Sequence, residues 1–114
     1  MSNFLQKNLE QYEQIFGHEK MCRLWKEFII DANDKLKCIE KQSLEKQRLA
    51  YHSLRSSCLI FGMKEFAELC RLYEEEILSG ILIDDKKAAK SRNILEQGIK
   101  KVKACLVKGE SHGK

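Results

Sequence analysis

The chain has 114 residues, of which 43% are hydrophobic and 33% are charged, and it carries a net charge of +4. This length suits one domain that buries roughly two thirds of its unfolded surface, and the hydrophobic content excludes a disordered chain. The modest charge does not by itself indicate a protein that binds nucleic acid. The sequence contains no proline and only six glycines, and this composition favours helices.

The cysteines argue against an extracellular disulfide scaffold, because there are five of them and none forms a Cys-x-x-Cys pair. Cys22, Cys58 and Cys70 fall on apolar stripes, so we expect them to be small buried residues in a reducing cytosol. No N-terminal stretch resembles a signal peptide, and no apolar run approaches the roughly 20 residues of a membrane span. We therefore expect a cytoplasmic protein.

Apolar residues at spacings of three and four predict a short amphipathic helix over about residues 3 to 15, ended by Gly17. A second, longer helix is predicted over about residues 19 to 40. Its apolar stripe is the strongest helical signal in the chain and consists of Met21, Leu24, Trp25, Phe28, Ile29, Ala32, Leu36 and Ile39.

The third helix is predicted over about residues 44 to 60, with Ser43 as its N-cap and Gly62 just beyond its end. The fourth is predicted over about residues 63 to 78 and ends at Ser79-Gly80. Its apolar face comprises Phe66, Leu69, Cys70, Tyr73 and Ile77. The acidic residues Glu74-Glu75-Glu76 are interpreted as a solvated run.

Residues 81–83 form a short apolar link that we expect to cover one end of the fold, and Asp84 or Asp85 can cap the last helix. The apolar stripe of that helix is Ala88, Leu95, Ile99, Val102 and Leu106. Its basic residues are interpreted as a solvated face: Lys86, Lys87, Lys90, Arg92, Lys100, Lys101 and Lys103. The fold class is therefore all-α, an antiparallel four-helix bundle with a short additional N-terminal helix over residues 1–107, followed by a flexible tail at 108–114.

One histidine is predicted to face water from the middle of the third helix. With Leu54 at the centre of the inward face, His52 lies about 160° away at 100° per residue. Arg48, Arg55 and Ser56 lie one turn from it on the outer face, and the apolar residues Leu49 and Leu59 share that half of the helix. An exposed imidazole beside two arginines and a rim of leucines indicates a docking surface with a reactive centre.

These residues resemble the phosphate-accepting helix of histidine phosphotransfer (HPt) domains. The matching positions are His52, Leu54, Arg55, Ser57 and Gly62, and the departure is Ser56, where the family usually has glycine. The similarity covers roughly residues 9 to 107, because it extends to Phe16-Gly17, Phe28, Phe66, Cys70 and Glu74.

The resemblance implies a phosphocarrier of a multistep phosphorelay, not an enzyme with kinase activity of its own. His52 would accept a phosphoryl group from a receiver-domain aspartate and pass it to another receiver, and Arg55 would offset the phosphoryl charge. Arg48, Leu49, Ser56 and Leu59 would contact the partner, whereas Leu54, Ser57 and Gly62 are structural. Magnesium would belong to the receiver, so no cofactor or metal is expected on this chain. The expected partners are receiver domains of response regulators or hybrid histidine kinases, not nucleic acid or membranes, and the chain is expected to be monomeric.

Two other functions are open at the level of sequence. The chain could be an adaptor that docks receivers or a kinase without carrying phosphate. It could also be the dimerisation helix pair of a sensor kinase, although Ser53 and Ser57 replace the acidic residue and the proline typical of that phosphoacceptor box. A weaker candidate site is the pair His18 and Cys22, which could share a metal at i, i+4 spacing but lacks further ligands in the sequence.

Overall fold

The computed structural model describes the backbone of residues 2–112 and the side chains of residues 5–106. Within this range the fold is all-α, as the sequence predicted. One short 3₁₀ turn, which was not predicted, lies at Ile39–Lys41. The five helices are α1 (Ser2–Phe16), α2 (His18–Leu36), α3 (Leu44–Leu59), α4 (Lys64–Leu78) and α5 (Asp85–His112). None of the helices in the described range combines the length and the apolar content that a membrane span requires.

Two helix starts, those of α3 and α5, are capped by side chains. The Ser43 hydroxyl accepts a hydrogen bond from the Lys46 amide at 3.3 Å, so the predicted N-cap of α3 is confirmed. Asp84, not Asp85, caps α5, because its carboxylate accepts from the Lys87 amide at 2.9 Å. Each of these bonds satisfies one amide that the first turn of a helix leaves without a partner.

The core consists mainly of the predicted apolar stripes, and Phe61, Met63 and Ile83 from the connecting segments are buried with them. Phe28 of α2 packs its ring against that of Phe61, with 5.5 Å between ring centroids. Tyr51 of α3 packs edge-to-face against Tyr73 of α4 at 5.5 Å. The most extensive packing joins α3 and α4, which form a helical hairpin, while α2 and α5 pack against the hairpin and against each other. The hairpin is therefore the frame on which the candidate site is built.

The predicted second helix was too long. It ends at Leu36, where a side chain takes the place of a helical partner for the Leu36 carbonyl. Arg92 donates to the Leu36 carbonyl oxygen at 2.9 Å and pairs with Glu40 at 3.1 Å. Arg92 was interpreted as part of a solvated face, and that interpretation was wrong: the half-buried guanidinium joins α5 to the end of α2.

A buried glutamine forms hydrogen bonds to two interhelical connections, the one between α2 and α3 and the one between α4 and α5. The Gln47 side chain is fully buried in α3, and its amide nitrogen donates to the carbonyl oxygens of Ile39 at 3.0 Å and Ile83 at 3.2 Å. Its carbonyl oxygen accepts from the Ile83 amide at 3.0 Å. Of the predicted apolar link, Ile83 is buried, whereas Ile81 and Leu82 are exposed. The link therefore contributes one core residue and is fixed by a polar group.

At the C-terminus, α5 continues to His112, into the segment from residue 108 that the sequence predicted to be a flexible tail. A single glycine such as Gly109 costs a helix only about 1 kcal/mol, which an otherwise favourable segment tolerates. The last two residues of the predicted tail, 113 and 114, lie outside the described range.

Candidate functional site

His52 lies near the middle of α3 and faces away from the core, as predicted. Its side chain is 59% exposed, whereas Tyr51, Leu54 and Cys58 of the same helix are fully buried. The apolar residues hold one face of α3 against its neighbours, so the opposite face presents the imidazole to water.

The imidazole is held by a carboxylate from the adjacent helix. Nδ1 of His52 lies 2.9 Å from a carboxylate oxygen of Glu74 in α4, and the Glu74 side chain is only 12% exposed. An ionised carboxylate can only accept hydrogen bonds, so Nδ1 carries the proton and donates. In the neutral ring the lone pair is then on Nε2, which bonds to none of the residues that the structure describes.

Glu74 corrects one sequence-based interpretation. It was assigned to a solvated acidic run, but it is buried, whereas its neighbour Glu75 is exposed. The sequence did contain a signal: Glu74 follows Cys70 by four residues and Phe66 by eight, so it lies on the apolar stripe of α4. An acidic residue on such a stripe needs a partner, and His52 provides it.

The two arginines beside His52 behave differently. Arg55 extends toward the site, with its guanidinium 4.0 Å from the second carboxylate oxygen of Glu74 and its side chain 43% exposed. Arg48 instead binds Glu45, one turn toward the start of α3. This pairing raises the pKa of Arg48 and lowers that of Glu45. Arg55 therefore joins the His52–Glu74 pair, and Arg48 does not.

The remaining predicted site residues either lie near His52 on α3 or, like Gly62, follow the end of that helix. Leu49 and Leu59 are 51% and 44% exposed, and Ser56 is also exposed, whereas Ser57 is half-buried. Gly62 follows the end of α3 with a φ of +72°, a conformation that favours glycine. A Cβ atom at Gly62 would lie only 3.0 Å from the Leu5 side chain of α1. Glycine therefore lets α1 approach the turn between α3 and α4 closely.

The arrangement can support nucleophilic chemistry at Nε2. The ring nitrogen is accessible, the opposite nitrogen is fixed by a carboxylate, and a cation stands beside that carboxylate. A nucleophile, an orienting partner and an adjacent positive charge are the groups required to accept an electrophilic group of negative charge.

No metal is suggested by the donor groups within the described residues, where no group of three or more histidine, cysteine or acidic side chains could hold one. His18 and Cys22, the weak candidate pair from the sequence, do lie together, with 3.5 Å between Nε2 and Sγ.

Comparison with protein-family models, with curated proteins and with solved structures found no match to this chain. A functional assignment therefore depends on the residues around His52.

Proposed function

We propose that the chain is a cytoplasmic histidine phosphocarrier of the HPt type, in which α2–α5 form an antiparallel four-helix bundle and His52 accepts a phosphoryl group from a receiver-domain aspartate. The observation that carries the proposal is the exposed imidazole whose Nδ1 is held 2.9 Å from the buried carboxylate of Glu74. An ordinary surface histidine has no need of a buried carboxylate, because water satisfies both ring nitrogens.

In the proposed reaction the Nε2 lone pair attacks the phosphorus of the aspartyl phosphate. An N–P bond forms, the P–O bond to the aspartate breaks, and the receiver recovers its carboxylate. The ring becomes cationic and keeps its proton on Nδ1, where the hydrogen bond to Glu74 stabilises the positive charge. Transfer to a second receiver is the reverse of this step on another aspartate. Magnesium would be supplied by the receiver.

The charges beside the imidazole fit this step. A phosphoryl group adds about −1.5 to −2 charges, which the Glu74 carboxylate alone would repel. Arg55, 4.0 Å from that carboxylate, reduces the repulsion and is long enough to reach the phosphoryl oxygens. Arg48 would have to leave Glu45 to do the same, so Arg55 is the stronger candidate.

The surface around the imidazole would meet the receiver. Leu49 and Leu59 stand on the outer side of α3, one before and one after His52, and both are exposed. Exposed apolar residues that flank a reactive centre suit a transient protein partner. Ser56, one turn after His52, would lie at the same contact.

The proposal is tested by mixing the purified protein with a receiver domain that has been phosphorylated by a small phosphodonor in the presence of magnesium. We expect the protein to gain one phosphoryl group, about 80 Da, which peptide mapping should place on His52 and which should be stable to alkali but not to acid. A protein that binds the charged receiver without gaining label would instead be a docking adaptor.

Replacing Glu74 with alanine is expected to slow the transfer by roughly 10- to 100-fold, the range found for carboxylates that orient metal-bound histidines. Without Glu74, Nδ1 no longer holds the proton preferentially, so Nε2 is protonated in part of the molecules. The transfer rate is measured at a fixed concentration of phosphorylated receiver domain, and the tautomer of the His52 ring is followed by nitrogen NMR.

The matched control is Glu75→Ala, since Glu75 is the exposed neighbour on the same helix and lies outside the site. It should transfer at the wild-type rate and keep the Nδ1–H tautomer. Wild-type transfer by Glu74→Ala would show that the carboxylate has no part in the reaction.

A further inference from the structure

A second line of reactive side chains lies at the junction of α1 and α2. Nδ1 of His18 lies 2.5 Å from a carboxylate oxygen of Glu13, and its Nε2 lies 3.5 Å from the sulfur of Cys22. The His18 and Glu13 side chains are 45% and 39% exposed, and Cys22 is half-buried. The three side chains therefore form one hydrogen-bonded chain, from carboxylate to imidazole to thiol, that solvent can reach.

The fold itself produces this arrangement. Gly17 joins the two helices with a φ of +87°, a left-handed conformation that favours glycine, and its amide donates to the Glu13 carbonyl oxygen at 2.7 Å. His18 is the first residue of α2, and Cys22 follows one turn later on the same side. The sharp turn thus brings the carboxylate of α1 to one ring nitrogen while the helix brings the thiol to the other.

The hydrogen bonds fix the direction of proton movement. The Glu13 carboxylate can only accept, so Nδ1 of His18 donates and Nε2 is left as an acceptor for the Cys22 S–H. Passing that proton to Nε2 leaves a thiolate beside an imidazolium, whose other N–H remains bound to Glu13. The thiolate is the nucleophilic form of cysteine, and a neighbouring imidazolium stabilises it.

The other cysteines provide an internal comparison. Burial raises the pKa of the Cys58 thiol to about 12 and also raises the pKa of the Cys70 thiol. Both thiols therefore stay protonated and unreactive toward disulfides near neutral pH. Cys38 is exposed, so it is the most accessible competitor. Among the described residues, however, it has no imidazole in hydrogen-bond contact of the kind that Cys22 has.

We propose that Cys22 is a nucleophilic thiol that forms a mixed disulfide with low-molecular-weight disulfides, with His18 as its base and Glu13 as the orienting residue. In this exchange the Cys22 thiolate attacks one sulfur of the small disulfide. A new S–S bond forms, the original S–S bond breaks, and the second half leaves as a thiolate that takes up a proton. The site is independent of the chemistry proposed for His52.

The test uses the full chain and glutathione disulfide at about pH 6.5, where an ordinary thiol is only about 1% thiolate. Modification of each cysteine is followed by mass spectrometry of digests taken at successive times. We expect Cys22 to react about tenfold faster than Cys38, since a larger thiolate fraction is partly offset by lower intrinsic nucleophilicity. His18→Gln should reduce the Cys22 rate to that of Cys38 or below, and Glu13→Gln should reduce it less.

The controls separate this effect from loss of structure. Glu10→Gln changes an exposed glutamate of α1 outside the line and should leave the Cys22 rate unchanged. The Cys38 rate and the helical circular dichroism should be the same in all variants. Faster modification of Cys38 than of Cys22, or an unchanged Cys22 rate in His18→Gln, would overturn the proposal.

Discussion

Replacing His52 with glutamine is expected to abolish phosphoryl transfer to the protein while leaving its fold intact. Glutamine has no nucleophilic nitrogen, so no N–P bond can form at this position. The side chain is 59% exposed and its one bond within the described residues is to Glu74, which a glutamine amide can also donate to. Surface changes of this kind usually alter the free energy of unfolding by less than about 0.5 kcal/mol.

The measurement is the mass gain after incubation with a phosphorylated receiver domain, with circular dichroism and urea unfolding as checks on the fold. His18→Gln is the matched control, because His18 is also a half-exposed histidine paired with a glutamate, and it should accept label at the wild-type rate. Label that persists in His52→Gln would contradict the assignment. Receiver binding and physiological output that both survive in His52→Gln would instead support an adaptor.

Replacing the buried Gln47 with leucine is expected to destabilise the fold strongly. The side chain makes three hydrogen bonds to backbone groups of Ile39 and Ile83. Leucine fills a similar volume but leaves two carbonyl oxygens and one amide buried without those partners. Each unsatisfied buried group costs about 1–3 kcal/mol, so we expect the free energy of unfolding to fall by about 3 kcal/mol or more.

Urea unfolding followed by circular dichroism measures this loss as a lower midpoint with an unchanged slope. Gln14→Leu is the control, because Gln14 is exposed on α1 and its replacement should change the free energy by less than about 0.5 kcal/mol. A loss below about 1 kcal/mol in Gln47→Leu would mean that the backbone groups find water or other partners.

The sequence alone predicted the helices and the orientation of His52, because both depend on apolar residues that repeat at helical spacing. The caps at Ser43 and Asp84 were also recognisable, since they depend on neighbours three residues away. Local periodicity was therefore sufficient for the framework of the candidate site.

The errors involve polar residues whose partners are distant in the sequence. Glu74 and Arg92 were wrongly interpreted as solvated: Glu74 binds a histidine 22 positions earlier, and Arg92 binds a carbonyl 56 positions earlier. No role was predicted for Gln47, which binds a backbone 36 positions later. Hydrophobic spacing does not identify such partners, and charged residues in a run were assumed to be solvated. Only the position of Glu74 on an apolar stripe indicated that it needed a partner.

The hairpin of α3 and α4 has a consequence for how the site behaves when the molecule opens locally. Both members of the His52–Glu74 pair belong to consecutive helices, so closing their contact requires only a short loop of chain. Because local opening is not uniform across a structure, we expect this contact to persist when an outer helix such as α1 detaches. We therefore expect amide hydrogen exchange in α1 to be faster than in α3 and α4, while the imidazole of His52 keeps its bond to Glu74.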